Sequence, residues 1–139
     1  MGEHTIVLCR EDHVVLKRLV DTLARSGRLG QPHFGRLAEE VRHAMIVDRD
    51  ELPPKVVTIG SRVSYTCVDT ATTVQVTLVF PADAREGESH VSILAPLGLA
   101  LIGEREGTEI DYEAPGGTFR IRLNSVEQTR VPAGANAPL

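Results

Sequence analysis

Tryptophan is absent from this chain, and Phe and Tyr together make up only 4% of it. A platform on which unpaired bases stack needs several exposed rings, so single-strand binding of that kind is excluded. A basic excess is missing too. Fifteen Lys and Arg face nineteen Asp and Glu, a net charge of −4 with an isoelectric point near 5.7. A protein that coats duplex DNA normally shows the opposite balance, so no direct sequence-specific nucleic-acid binding is expected. No apolar run approaches the roughly 20 residues that span a bilayer. The start, Met1-Gly2-Glu3-His4, lacks the basic stretch and apolar core of a secretory signal. A cytoplasmic protein without membrane contact is therefore expected. Cys9 and Cys67 stand 58 positions apart and form no CxxC pair, so two reduced thiols are expected. The histidines, His4, His13, His33, His43 and His90, show no HxH or HExxH spacing, and no metal or other cofactor is expected.

What is present is a globular composition, 42% apolar and 24% charged over 139 residues. That length suits one domain, or a small domain with a helical appendage. Thr5-Ile6-Val7-Leu8 reads as a strand or an extended lead-in. Asp12 precedes Val14-Val15-Leu16 and is placed as a helix N-cap, where its carboxylate accepts from unpaired backbone N–H groups. Apolar residues at 15, 16, 19, 20 and 23 keep helical spacing, and Gly27 can end the helix in the left-handed conformation. After a turn over 26–33, the residues Phe34, Leu37, Ala38, Val41, Ala44 and Met45 line one face of a second helix. The pair forms an antiparallel hairpin with arms of about 21 Å.

The segment DRDELPP, 48–54, stops helix with proline and marks a boundary. Beyond it the period changes to two. Val63, Tyr65 and Cys67 alternate with polar neighbours, as do Ile110 and Tyr112, then Phe119, Ile121 and Leu123, while Val74, Val76, Leu78 and Phe80 alternate with Gln75, Thr77 and Val79. With 91–94 these runs predict an antiparallel sheet with one dry face. Pro115-Gly116-Gly117 reads as a hairpin turn, and 97–102 fits a turn or two of buried helix. The fold class is α+β, with a helical hairpin over 1–53, a β-domain over 54–130 and a frayed tail over 131–139.

No enzymatic constellation emerges. Gly98 and Gly103 match the spacing of a phosphate loop, but Glu104-Arg105 follows where Lys and Ser/Thr are needed. No GxSxG occurs, and Glu109, Asp111 and Glu113 alternate as the solvated face of a strand. Charge is uneven in one place. Between Asp21 and Glu39 no acidic residue occurs, while Arg25, Arg28 and Arg36 do, with His33 among them. Arg25 at a helix C-terminus is favourable by roughly 0.3–1 kcal/mol; Arg36 stands at the unfavourable end of the second helix. A functional basic tip and an ordinary exposed loop both fit this charge pattern.

Several phrases carry a family resemblance. They are 56–63 (VVTIGSRV), Val76-Thr77-Leu78-Val79, Val91-Ser92-Ile93-Leu94-Ala95-Pro96-Leu97-Gly98, Ala100-Leu101-Ile102-Gly103 and Glu113-Ala114-Pro115-Gly116-Gly117. This half resembles the C-terminal domain of the Gre-type transcript elongation factors. With Ile6-Val7-Leu8, Asp12, Met45, Glu51-Leu52-Pro53 and Leu78-Val79-Phe80-Pro81-Ala82, nearly the whole chain, 5–127, is similar to the regulator of nucleoside diphosphate kinase family (Rnk) of that superfamily.

The resemblance implies an FKBP-like β-domain bearing a short coiled coil. It implies a non-enzymatic transcription regulator that binds bacterial RNA polymerase near its secondary channel, as a monomer. Gre factors hold a Mg²⁺ ion with acidic residues at the hairpin tip. The tip here, 24–33, has no hard oxygen ligand from Asp or Glu, so stimulation of transcript cleavage is not expected. Arg25, Arg28, His33 and Arg36 are the candidate tip contacts, to acidic polymerase surface or to nucleotide phosphates. Pro96, Leu97 and Gly98, read as an exposed loop, are candidates for docking on the channel rim, with Leu97 equally a candidate for the core. Peptidyl-prolyl isomerisation is the alternative by fold analogy, although Tyr65, Phe80, Tyr112 and Phe119 all fall on inward positions. Self-association through the hairpin is the other.

Overall fold

The computed structural model describes residues 5–85, 89–114 and 116–128, apart from the side chains of Leu29, Pro32 and His33; the tail over 131–139 lies outside the described residues. Strand β1 (Val7–Cys9) runs directly into helix α1 (Arg10–Arg25). Leu16 and Leu23 are buried on one side of α1, while Lys17, Arg18, Asp21 and Thr22 meet solvent on the other. The helix ends as expected. Ser26 Oγ donates to Leu23 O at 3.0 Å, and Gly27 takes φ +76°, a conformation only glycine adopts at no steric cost. A 3₁₀ turn (Arg28–Gly30) leads into α2 (Pro32–Arg42), whose Pro32 occupies a first-turn position where no N–H is missed. Phe34, Leu37 and Val41 are its buried face.

Two sequence expectations are corrected in this half. The N-cap of α1 is Cys9, with no side-chain cap, so Asp12 lies inside the first turn. The second helix stops at Arg42, and Met45 leaves it for strand β2 (Met45–Val47), which pairs parallel with β1. The Met45 N–H donates to Ile6 O at 2.9 Å. This capture by a neighbouring strand is invisible to a helical period that Met45 itself continues. Its side chain is 54% exposed, not part of the packed face.

The second half forms a five-stranded sheet from β3 (Arg62–Cys67), β4 (Thr72–Val79), β5 (His90–Ser92), β6 (Glu109–Ala114) and β7 (Gly117–Glu127), in the order β5-β4-β3-β7-β6. Three of its pairings are antiparallel, but β5 lies parallel to β4, which corrects the expectation of a wholly antiparallel sheet. On β7 the dry positions run Ile121, Leu123, Val126, a step of two and then of three. A bulge opposite Ser64 and Tyr65 restores the inward face after that step. Of the four aromatics, Tyr65 is buried, and Phe80 and Tyr112 are half-buried. Phe119, expected inward, is 36% exposed and packs on Tyr112, with ring centroids 5.6 Å apart. The helix α3 (Pro96–Leu101) packs against β5 and β6. Leu16, Leu23, Phe34, Leu37 and Val41 share one hydrophobic cluster with Leu78, Leu101, Ile121 and Leu123 of the sheet half.

A turn over 58–61 joins the halves. Ser61 N–H donates to Thr58 O at 3.0 Å, Ser61 Oγ accepts from Thr58 N–H at 2.8 Å, and Gly60 takes φ +99°, as a type II turn requires. The Ile59 N–H is left over and donates to Asp12 Oδ2 at 3.2 Å. Burial pushes the Asp12 carboxyl above the usual range, outweighing the pull of the Ile59 N–H, the Cys9 thiol and the Arg49 cation. A raised folded pKa favours the folded state at low pH. That contribution is lost as pH rises from about 3.9, the unfolded value, through the folded one. Asn at this position can still accept from Ile59 without a buried charge. An Asp12→Asn protein is therefore expected to match the parent's Tm at pH 4 and to equal or exceed it at pH 7, as thermal melts across that range will test.

Candidate functional site

The expected tip residues separate into two groups. Arg25 closes α1 and is exposed; Arg28 opens the 3₁₀ turn beside it. The Arg28 guanidinium lies 5.1 Å from the centroid of the buried Phe34 ring, a cation–π contact that orients it over the turn. His33 lies in the first turn of α2, and its side chain falls outside the described residues. Arg36 is one turn further on and is directed elsewhere. Its Nε donates to Glu40 Oε2 at 3.2 Å, and its Nη1 reaches Asp111 O on β6 at 3.5 Å. Arg36 is therefore a link to the sheet, and the cations on the turn itself are Arg25 and Arg28.

The 96–98 segment also differs from its reading as an exposed loop. Ala95 N–H donates to Ser92 O at 3.0 Å and Ser92 Oγ accepts from Leu94 N–H at 3.0 Å, so the chain turns tightly after β5. Pro96 then starts α3, in a position that favours proline. Leu97 is half-buried against the core, and Gly98 is buried against the Ser92 backbone. Of the three, Pro96 reaches a surface feature. It lines a groove of about 610 Å³ between α2, α3 and β6, shared with Arg36, Leu37, Glu40, Leu99 and Tyr112.

That groove was not legible in the sequence. The i, i+4 spacing of Arg36 and Glu40 announces their ion pair, but nothing local places them opposite Asp111. On β6 the charged positions Glu109, Asp111 and Glu113 face solvent, as their alternation predicts. Asp111 is exposed and binds Arg120 of β7 through two hydrogen bonds, at 2.9 and 3.3 Å. The Arg120 guanidinium holds the Asp111 carboxyl below its usual range. Among the described residues no cluster of His, Cys, Asp and Glu could hold a metal ion, and no helix is long and apolar enough to cross a membrane.

Comparison with known proteins shows the family. Residues 52–128 match the family described as transcription elongation factor, GreA/GreB, C-terminal. The regulator of nucleoside diphosphate kinase of Escherichia coli strain K12 is 34% identical over 117 residues, 84% of either chain. Transcription elongation factor GreA of Oceanobacillus iheyensis is 30% identical over 87 residues, 63% of this chain and 55% of that protein. Among solved structures, the prokaryotic transcription elongation factor GreA/GreB from Nitrosomonas europaea matches with a TM-score of 0.73 at 35% identity, over 90% of this chain and 99% of the other.

Proposed function

We propose that this chain, which belongs to the GreA/GreB elongation factor family and resembles the regulators of nucleoside diphosphate kinase along most of its length, is a regulator that binds bacterial RNA polymerase without stimulating transcript cleavage. One observation carries the second half of this reading. The turn between α1 and α2 presents Arg25 and Arg28, and residues 22–38 contain no carboxylate to hold Mg²⁺. A cleavage factor must bring acidic oxygen ligands to the metal; a guanidinium brings repulsion instead. The reach is short as well, since the 16 residues of α1 span about 24 Å.

In this reading the sheet half, an FKBP-like domain over 54–130, seats on the polymerase near the secondary channel. The helix pair over 1–53 is a short coiled coil that enters the channel and excludes other factors. Arg25 and Arg28 meet acidic polymerase surface or the phosphates of nucleotides. The protein acts as a monomer in the cytoplasm and catalyses nothing itself. Purified core polymerase is expected to retain the protein in a pull-down, a GreA factor is expected to displace it, and stalled complexes are expected to show no added transcript cleavage. Failure to bind core polymerase removes the proposal. Added cleavage leaves the binding and removes the role assigned to the acid-free tip.

A further inference from the structure

Strand β6 ends the five-stranded sheet. Its inner side pairs with β7, and its outer side has no strand neighbour among the described residues. The pairing closes at Ala114 and Gly117, and Arg120 O on β7, opposite Asp111, accepts from Val68 N–H on the side away from β6. In such a hairpin Ala114, Tyr112 and Ile110 direct their backbone groups to β7, whereas Asp111 and Glu113 direct theirs outward. The contact of Arg36 with Asp111 O agrees with that alternation.

An open strand edge is a template for another strand. Here the edge is one wall of the groove of about 610 Å³, with α2 and α3 as the other. Leu99, Ala100, Pro96 and Tyr112 make its floor apolar. Its charge is acidic, with Glu40, Asp111 and Glu113 against the one guanidinium of Arg36. Glu40 is bonded to Arg36 and Asp111 to Arg120. Glu113 is exposed and has no ion pair among the described residues. A strand laid along β6 would set one side chain across from Glu113, where a Lys or Arg is favoured and a carboxylate is repelled. Its inward neighbours would meet Leu99, Ala100 and Tyr112 and would be apolar. The four residues from Asp111 to Ala114 give about 13 Å of edge.

We infer that this groove binds an extended segment of a partner protein that alternates basic and aliphatic residues, adding it to β6 as a sixth strand. Arg25 and Arg28 do not line the groove, whereas Pro96 and Arg36, also candidates for polymerase contact, do; peptide capture is therefore measured on the chain alone, without polymerase, so that its failure is distinct from a failure to bind polymerase.

The test is selection from a phage-displayed random decapeptide library on the immobilised full chain, in parallel with Glu113→Lys and the milder Glu113→Gln, each checked for folding by circular dichroism. An enriched peptide is then synthesised and titrated into isotope-labelled protein. The expected peptides alternate Lys or Arg with aliphatic residues. They bind the parent about tenfold more tightly than Glu113→Lys, with Glu113→Gln between, because the Lys variant replaces a favourable cross-strand pair with like charges. The backbone amides of Asp111 and Glu113 shift on binding. No enrichment, enrichment of peptides without basic residues, equal affinity for the Lys variant, or shifts confined to other elements would each overturn the inference.

Discussion

Gly98→Ala is expected to destabilise the protein by about 3 kcal/mol or more, lowering Tm on the order of 10 °C. In an exposed helix interior the same change gains about 1 kcal/mol, since alanine is the better helix former. Here the added Cβ would lie 2.1 Å from Ser92 O, 2.9 Å from Ser92 C and 3.0 Å from Ile93 Cα. All three are backbone atoms and cannot swing aside as a side chain would. The segment is also pinned, with Ser92 O accepting from Ala95 N–H at 3.0 Å and Ile93 N–H donating to Val79 O at 2.9 Å. Relief requires α3 to lift from β5, which opens the core around Leu99 and Leu101. Gly30→Ala is the control, because its Cβ meets nothing within 4 Å. Chemical denaturation of both variants checks the expectation. A Gly98→Ala protein as stable as the control would mean that α3 does not approach β5 this closely.

The double variant Arg25→Glu, Arg28→Glu is expected to weaken binding to core RNA polymerase by roughly 10–100-fold in low salt, with the loss shrinking as salt rises. Both side chains are exposed, so the fold should remain intact. The stability cost comes from the Arg28–Phe34 contact, about 0.5–1 kcal/mol at an exposed site, and from the loss of the Arg25 cation at the C-terminus of α1, roughly 0.3–1 kcal/mol. Arg36→Glu is the informative comparison. Arg36 is engaged with Glu40 and Asp111, so reversing it should loosen the link between α2 and β6 and change affinity far less. If the double variant keeps its affinity and still competes with a GreA factor, the tip does not make the proposed contact.

Much of the architecture was legible because it depends on short-range patterns. Alternation located β3, β4 and β7, and Gly27 marked the end of α1 where the structure places it. Three glycines in the phrases that carry the family resemblance meet steric requirements. Gly60 supplies a positive φ in the 58–61 turn, and Gly98 admits the Ser92 carbonyl. Gly103 combines φ +79° with a Cβ position only 2.6 Å from Ile6 Cβ. Where the reading failed, the local pattern was true but was overridden at a distance. Met45 continues a helical period, yet β1 captures it. Phe119 continues a strand period, yet it lies near the β6–β7 turn, where its ring is left 36% exposed.

Side-chain period, turn chemistry and the run of charge along the chain belong to neighbouring residues, and they suffice for helix, strand and an acid-free turn. The sites depend on pairs far apart in the chain. Asp12 reaches Ile59 across 47 positions, and Arg36 reaches Asp111 across 75. Such pairs form only once the hydrophobic cluster shared by α1, α2 and the sheet sets the elements against one another. That packing turned a supposed N-cap into a buried carboxylate, drew Arg36 off the tip and built the groove along β6.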